Sequence, residues 1–210
     1  FSYFTAVVED RKENPCGDLA SILANALVDG EPMEQLDQIS YFIITATAGH
    51  DTTSATISGG MKALLEHPDQ LAKLRKHPEL AKQAAKEMIR WVSPVRHMMR
   101  TSTEDIVLRG KTIKAGDSLC LWYPSANRDS DAIEDPDTFD IERDNQNQLA
   151  FGFGGHMCLG QHLAILEVEL FFKELLPRLS HIEFAADPEW VQAIFVGGLK
   201  SMPVHYAFNS

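Results

Sequence analysis

The chain has 210 residues, of which 44% are hydrophobic, and its formal net charge at pH 7 is −11. An acidic balance of this size argues against a nucleic acid as partner. Its three cysteines are too few for a disulfide framework. We expect a globular, cytoplasmic protein, in which no signal peptide and no membrane anchor is visible.

Apolar periodicity and the positions of proline and glycine predict one domain without repeats, mainly α with small β-sheets (α+β). Helices are predicted at 1–12, 18–26, 33–66, 69–75, 79–92 and 161–176. Short strands are predicted near 104–108, 111–114, 118–122, 182–185 and 203–208, with an irregular meander rich in Asp and Asn at 129–148.

The longest predicted helix, Met33–Glu66, contains no proline and would extend about 50 Å. Its apolar run is broken at Gly49–Asp51, so it falls short of the roughly 20 residues that a membrane span requires. We therefore expect a buried core helix. The small and polar residues at its centre predict a groove, because Gly49 leaves room and Thr52 or Thr53 can bend the helix. The alternative is that Asp-Thr-Thr caps a shorter helix.

Cys158 lies in the segment Phe151–Gly160, Phe-Gly-Phe-Gly-Gly-His-Met-Cys-Leu-Gly. The glycines predicted to take positive φ are Gly152, Gly154 and Gly155, and Gly160 lies where the loop turns into the helix. A helix N-terminus favours a thiolate, so Cys158 is predicted to be a metal ligand. One alternative is a buried, inert thiol, the interpretation that suits Cys16 and Cys120. Another is a zinc site, which needs about four Cys or His ligands, whereas only His156 lies close.

Phe151, Gly154, Cys158 and Gly160 match the pattern Phe-x-x-Gly-x-x-x-Cys-x-Gly at every specified position. The chain thereby resembles the cytochrome P450 family, whose established iron ligand is a cysteine thiolate. The resemblance implies haem b as cofactor and Cys158 as the axial ligand of its iron. It also implies the C-terminal half of that fold, with one long central helix and a Cys-ligand loop before a late helix. Further haem contacts implied by the loop are Phe151, Gly152 and Gly160.

Ala48-Gly49-His50-Asp51-Thr52 resembles the family pattern Ala-Gly-x-Asp-Thr. The resemblance implies that Ala48 and Gly49 form a groove for dioxygen. It also implies that Asp51 and Thr52 relay protons to the oxygen.

Glu87 and Arg90 lie three residues apart on a predicted helix and share one of its faces. Such pairs are common and mostly exposed, so the spacing alone indicates little. The resemblance implies a buried structural trio of Glu87, Arg90 and Arg143 that fixes the core around the cysteine loop.

The resemblance places Arg100 and His156 at the haem propionates, whereas the alternatives are a solvated strand arginine and an ordinary loop histidine. It also implies a mostly apolar substrate pocket, suited to a small hydrophobic substrate. For each pocket residue the alternative is ordinary core. The implied pocket residues are Ile44, Val95, Met98, Phe195 and Val196.

The implied activity is hydroxylation with O2 and two electrons, delivered from NAD(P)H through a reductase and a ferredoxin. Because such a ferredoxin is acidic, we expect a local basic patch on the cysteine side of the protein. Segments 46–53, 123–129, 155–164 and 195–203 resemble bacterial enzymes that hydroxylate monoterpene alcohols, such as the α-terpineol monooxygenase. Two alternatives remain: a haem-thiolate isomerase or peroxygenase without an electron partner, and a non-catalytic haem-binding fragment.

Chains of this family are roughly twice as long as this one. We therefore expect residues 1–210 to be the C-terminal catalytic part of a single haem-thiolate monooxygenase domain whose N-terminal half is absent here. On its own, this part is predicted to expose a large apolar face and to bind haem weakly or not at all.

Overall fold

The computed structural model describes residues 1–144 and 146–209. Asn145, within the predicted meander, and Ser210 lie outside the described residues. The α-helices of the described part are α1 (Ser2–Glu13), α2 (Leu19–Ala24), α3 (Gln35–Glu66), α4 (Pro68–Lys76), α5 (Ala81–Val92), α6 (Tyr123–Ala126) and α7 (Gln161–Leu175). Short 3-10 turns lie at Pro78–Leu80, Gly154–His156 and Leu176–Arg178.

The strands of the described part are β1 (Leu27–Val28), β2 (Glu31–Pro32), β3 (His97–Thr101), β4 (Ile106–Leu108), β5 (Lys111–Ile113), β6 (Ser118–Trp122), β7 (Leu179–Phe184), β8 (Glu189–Trp190), β9 (Leu199–Ser201) and β10 (Val204–Phe208). They pair antiparallel in two-stranded sheets: β1 with β2, β3 with β6, β4 with β5, β7 with β10, and β8 with β9. The predicted class, mainly helical with small sheets, is confirmed.

Strand β3 was not predicted. Its residues His-Met-Met-Arg-Thr do not alternate between apolar and polar, so the period-2 pattern of a strand is missing. Pairing with β6 supplies the hydrogen bonds instead, in a register that sets Arg100 opposite Leu119 and His97 opposite Trp122. The four strands β1, β2, β8 and β9 have two or three residues each, too few to show any periodicity.

The chain forms two compact units, residues 1–51 and residues 52–210. In the first unit, α1 and α2 enclose a small core of Val8, Ala24 and Phe42. The fully buried side chain of Gln38 donates from Nε2 to the carbonyl oxygen of Ala24 at 3.0 Å, which ties the start of α3 to the end of α2.

The second unit has the larger core, built where α5 packs on α7. Met88 of α5 and Val168 of α7 are completely buried there. Helix α3 passes close to α5, because a Cβ atom at Gly60 would lie 2.7 Å from the Sδ of Met88. A glycine is therefore needed at position 60 for the two helices to approach this closely.

Helix α3 is unbroken, as predicted, but it begins at Gln35 rather than Met33. The expectation that the whole helix is buried is wrong for the stretch from Ile44 to Asp51, whose side chains are exposed. The reason is that the part of α3 buried within the first unit ends at Phe42, after Gln38 and Ile39. In the described part of the chain, no helix is both long and apolar enough to cross a membrane.

One side of α7 is covered and the other is not. Val168 and Phe172 are buried in the core. At helical spacing on the other side lie four exposed leucines, one of them on the loop just before the helix. This leucine face consists of Leu159, Leu163, Leu166 and Leu170, of which Leu159 is 99% exposed.

Candidate haem-thiolate site

The cysteine loop takes its shape from two left-handed glycines. Gly152 has φ +73° and Gly154 has φ +71°, conformations that are strained for residues with a Cβ atom. Gly155 does not have positive φ, so that prediction is wrong. The reason is that the right-handed 3-10 turn at 154–156 begins at Gly154 and Gly155 continues it.

The backbone of the loop holds Cys158 directly. Its N–H donates to the carbonyl oxygen of Phe151 at 2.8 Å, and Met157 N–H donates to Gly154 at 3.0 Å. Gly160 is the N-cap residue of α7, as predicted. Cys158 therefore lies three residues ahead of the first turn of the helix, where the free N–H groups favour an anion.

Cys158 is an exposed, free thiol, which contradicts the alternative of a buried packing residue. Cys16 and Cys120 are exposed as well, so for them that interpretation is wrong. Among residues 1–144 and 146–209, no group of three or more His, Cys, Asp or Glu side chains could hold a metal ion.

The loop surface suits a flat, apolar cofactor with a soft metal. A thiol is the soft donor that iron–porphyrin ligation uses. The neighbouring side chains of Phe153 and Leu159 are apolar and largely exposed. The residues present therefore fit a thiolate-ligated haem.

Tyr123 of α6 packs against the cysteine loop at Gly152. Its side chain is buried, and a Cβ atom added at Gly152 would lie 3.2 Å from its hydroxyl oxygen. The absence of a side chain at Gly152 therefore allows both the positive φ and the close approach of the loop to α6.

Glu87 and Arg90 form a buried, bidentate ion pair on α5. Arg90 Nε donates to Glu87 Oε2 and Arg90 Nη2 to Glu87 Oε1, both at 2.7 Å, and neither side chain is exposed. The remaining donor Nη1 of Arg90 reaches the carbonyl oxygens of Asn127 and Pro136, each at 2.8 Å. Both charges thus have the internal hydrogen bonds that burial requires.

Arg143 joins this pair from the meander. Its Nε lies 3.4 Å from Glu87 Oε1. Its Nη2 donates to the carbonyl oxygens of Asp135 and Thr138 at 2.9 Å, and its Nη1 donates to that of Glu134. The structure therefore brings the three charged residues together and uses Arg143 to close the turn at 134–138.

Asn127, for which no role was predicted, connects the ion pair to the cysteine loop. Its carbonyl oxygen accepts from Arg90, and its Oδ1 accepts the N–H of Leu149 at 2.7 Å. Its Nδ2 donates to Ser93 Oγ at 2.8 Å. Leu149 in turn accepts the N–H of Gly152 at 2.9 Å. The only available signal was the segment 123–129, which matched the family without showing what Asn127 does.

The residue after Asn127 packs on an indole ring. The guanidinium of Arg128 lies 4.2 Å from the ring centroid of Trp91. Burial lowers the pKa of Arg128, and the nearby positive charge of Arg90 lowers it further.

Arg100 and His156, predicted at the propionates, lie on different elements of the second unit. Arg100 is half-buried on β3, where its Nη1 donates to the carbonyl oxygen of Met99 at 2.8 Å. His156 is exposed and ends the 3-10 turn of the cysteine loop.

Three of the predicted pocket residues come together. Val95 and Val196 form an isolated antiparallel bridge, in which Arg96 N–H donates to Phe195 and Gly197 N–H to Pro94, both at 2.8 Å. The ring of Phe195 meets the ring of His97 edge-on at 5.8 Å. Two further pocket residues are exposed elsewhere: Met98 on β3 and Ile44 in the first unit.

Asp51 and Thr52 lie inside α3, so the alternative that they cap a shorter helix is wrong. The carboxylate of Asp51 is exposed and lies 2.8 Å from Nδ1 of His50, a contact that the sequence did not indicate. The carbonyl oxygen of Thr52 accepts from Thr56 Oγ1 at 2.8 Å. Ala48 and Gly49 are exposed on the same helix.

Residues 3–192 match the model of the family described as Cytochrome P450. Cytochrome P450-terp from a Pseudomonas species is 44% identical over 98% of this chain and 48% of its own length. Linalool 8-monooxygenase from Pseudomonas putida is 39% identical over 93% of this chain and 48% of its own. The crystal structure of CYP108D1 from Novosphingobium aromaticivorans has a TM-score of 0.94 and 44% identity, covering 99% of this chain and 51% of that one.

The chain spans about half the length of the curated relatives that it matches. The residues matched by the family model span the cysteine loop, the long helix α3 and the buried Glu87–Arg90 pair. The family model alone covers well over half of the residues. The chain therefore belongs to the cytochrome P450 family.

Proposed function

We propose that this chain is the catalytic part of a haem-thiolate monooxygenase that hydroxylates a small hydrophobic substrate. The observation that carries the proposal is the free thiol of Cys158, held by the Phe151 carbonyl just ahead of α7. Residues 1–210 would then form the C-terminal part of a single, longer catalytic domain. That longer protein is called the intact enzyme below.

In this proposal, the thiolate of Cys158 would hold the haem iron. Gly152 and Gly160 would let the loop approach the haem closely, and Phe151 would contact it. Arg100 and His156 would neutralise the propionates, since a buried or half-buried carboxylate needs a hydrogen-bonded cation. When bound, haem would supply the activation of O2 for insertion of one oxygen atom into a C–H bond.

Asp51 and Thr52 would deliver protons at the oxygen side of the site. Asp51 can take up a proton from solvent, because its carboxylate is exposed and hydrogen-bonded to His50. The hydroxyl of Thr52, next along α3, would pass the proton on as a positioned acid. The small residues Ala48 and Gly49 would leave room for dioxygen beside them.

The substrate would lie against apolar side chains. Val95 and Val196 are held together by their backbone bridge, with Phe195 beside them. Together with Met98, these residues offer few polar contacts, which favours a compact hydrophobic molecule. Similarity to Linalool 8-monooxygenase supports a terpenoid alcohol as the first substrate to test.

The electrons would come from NAD(P)H through a reductase and a ferredoxin-type partner, and the site of action would be the cytoplasm. The free cysteines fit a reducing compartment. A peroxide-dependent enzyme or an isomerase would need no electron partner, so dependence on the ferredoxin separates these reactions.

The test is the reduced carbon monoxide spectrum of the intact enzyme, compared with its Cys158→Ser and Cys120→Ser variants. Cys120 is a matched control because it is also an exposed, free thiol. We expect the thiolate-type band in the wild type and in Cys120→Ser, and its loss in Cys158→Ser. A histidine-type band in the wild type would refute the thiolate ligand, and absence of ferredoxin-dependent product from a terpenoid alcohol would refute the proposed reaction.

A further inference from the structure

The segment 195–198 is the last part of the connection from β8 to β9, and it contacts the rest of the second unit at three places. The first is the bridge to residues 94–96, with two backbone hydrogen bonds of 2.8 Å. The second is a close approach to Arg96, whose guanidinium group occupies the space that a Cβ atom at Gly197 would need. The third is α3, where a Cβ atom at Gly198 would lie 2.8 Å from the Cβ of Ala55.

The contact between Gly198 and α3 is closely packed and leaves no room for an additional atom. Gly198 is buried, and Ala55 is only 8% exposed. The Cβ of Ala55 belongs to the rigid helix and cannot rotate away as a long side chain would. A methyl group at position 198 must therefore push the segment away from the helix by about 1 Å to restore a normal carbon–carbon contact.

Ala55 also fixes where the segment lies along the helix. It follows Thr52 by three residues, so the two side chains project from the same face of α3. On the other side of the contact, Phe195 and Val196 lie three and two residues before Gly198. The Ala55–Gly198 contact thus sets the spacing between the threonine and the apolar side chains of the segment.

We propose that Ala55 and Gly198 form a spacer that determines substrate specificity, by setting how wide a molecule fits between α3 and the segment 195–198. The inference rests on the proposed function, because that function places Phe195 and Val196 at the substrate. The spacer acts through position rather than through contact with the substrate. It therefore calls for a double-mutant cycle.

The experiment uses the haem-loaded intact enzyme with the variants Gly198→Ala, Ala55→Gly and their combination. The control is Gly17→Ala, since a Cβ atom at Gly17 meets nothing within 4 Å. Calorimetry first identifies, in a panel of acyclic and cyclic terpenoid alcohols, one narrow and one wide ligand that the wild type binds. The readout is the ratio of their two dissociation constants.

We expect Gly198→Ala to shift this ratio about tenfold, a change typical of one methyl group in an apolar site. Ala55→Gly should shift it in the opposite direction, and the combined variant should return it to within about twofold of the wild type. Ala55→Gly only removes atoms, so it tests the spacer even if Gly198→Ala fails to fold. Hydrogen exchange at the amides of Arg96 and Gly197 should rise in Gly198→Ala and return in the combined variant.

An unchanged ratio in both single variants, or a combined variant that keeps the full shift of Gly198→Ala, would overturn the spacer. Failure of the proposed function gives a different result. In that case the wild type binds the alcohols and the combined variant restores the ratio of dissociation constants, yet no hydroxylated product forms with ferredoxin and NADH.

Discussion

Glu87 and Arg90 are joined by two hydrogen bonds of 2.7 Å, and both side chains are fully buried. Glu87→Gln should lower the free energy of unfolding of the intact enzyme by about 4 kcal/mol, because it leaves the Arg90 charge buried and unpaired. Urea denaturation measures the change. The control is Glu174→Gln, which breaks an exposed 2.8 Å pair with Arg178 and should cost less than about 1 kcal/mol. Equal losses in the two variants would contradict the structural role of the pair.

Asn127→Ala should loosen the cysteine loop, since it removes the acceptor of Leu149 N–H and the donor to Ser93. We expect a loss of about 3 kcal/mol in the free energy of unfolding from buried groups left without partners. Faster hydrogen exchange should appear at the amides of Leu149 and Gly152. The matched control is Asn147→Ala, whose amide contact to Ala132 is exposed and should cost at most about 0.5 kcal/mol. Unchanged exchange at Leu149 would show that Asn127 does not hold the loop.

Thr52→Ala should uncouple electron use from product formation, because it removes the hydroxyl proposed to pass on the proton. We expect the yield of product per NADH to fall at least about tenfold. The neighbouring threonine provides the control, since Thr53→Ala removes the same atoms one position further along α3. Product and NADH are measured together with the ferredoxin system. Wild-type coupling in Thr52→Ala would exclude Thr52 from the relay.

We expect Asp18 to make the stability of the first unit sensitive to acid. Its carboxylate accepts the backbone N–H of Ser21 at 2.7 Å and Arg11 Nε at 3.0 Å. The hydrogen bonds from Ser21, followed by those from Cys16 and Arg11, hold the pKa of Asp18 well below its usual range. A group that is more acidic in the folded state stabilises it above the unfolded pKa of about 3.9. That stabilisation is lost as the pH falls through the lower, folded pKa.

Asp18→Asn should therefore flatten the pH dependence of stability below about pH 4, as measured by thermal unfolding across an acid series. Ser21→Ala should keep most of that dependence, because the backbone N–H of residue 21 remains. If the wild type and Asp18→Asn lose stability in parallel on acidification, Asp18 is not the group responsible.

The features that local sequence determines were the predictable ones. A long stretch without proline predicted α3, and glycines around one cysteine predicted the shape of its loop at Gly152 and Gly154. Features that depend on a distant partner were not predictable. Strand β3 exists because β6 pairs with it, and Asn127 matters because it joins two other segments, the end of α5 at Arg90 and Ser93 and the loop at Leu149.

Burial, too, could be predicted only where it depends on local sequence. The pattern of α3 indicated an apolar helix, yet whether Ile44 is covered depends on what packs against it rather than on its neighbours in the chain. Likewise, the Gly-Gly pair at 197–198 matched the family, but only the structure shows that Arg96 and Ala55 occupy the space where side chains would be.

The leucine face of α7 has a consequence for protein engineering. Val168 and Phe172 anchor the helix from the opposite side, so an exchange such as Leu163→Glu leaves that anchor in place. For a preparation of these 210 residues, the exchange should improve solubility. In a longer molecule that packs further segments onto the leucines, the same exchange should instead weaken assembly. The effect of Leu163→Glu, improved solubility or weakened assembly, thus shows whether the leucine face is exposed to solvent or covered by other segments in the functional protein.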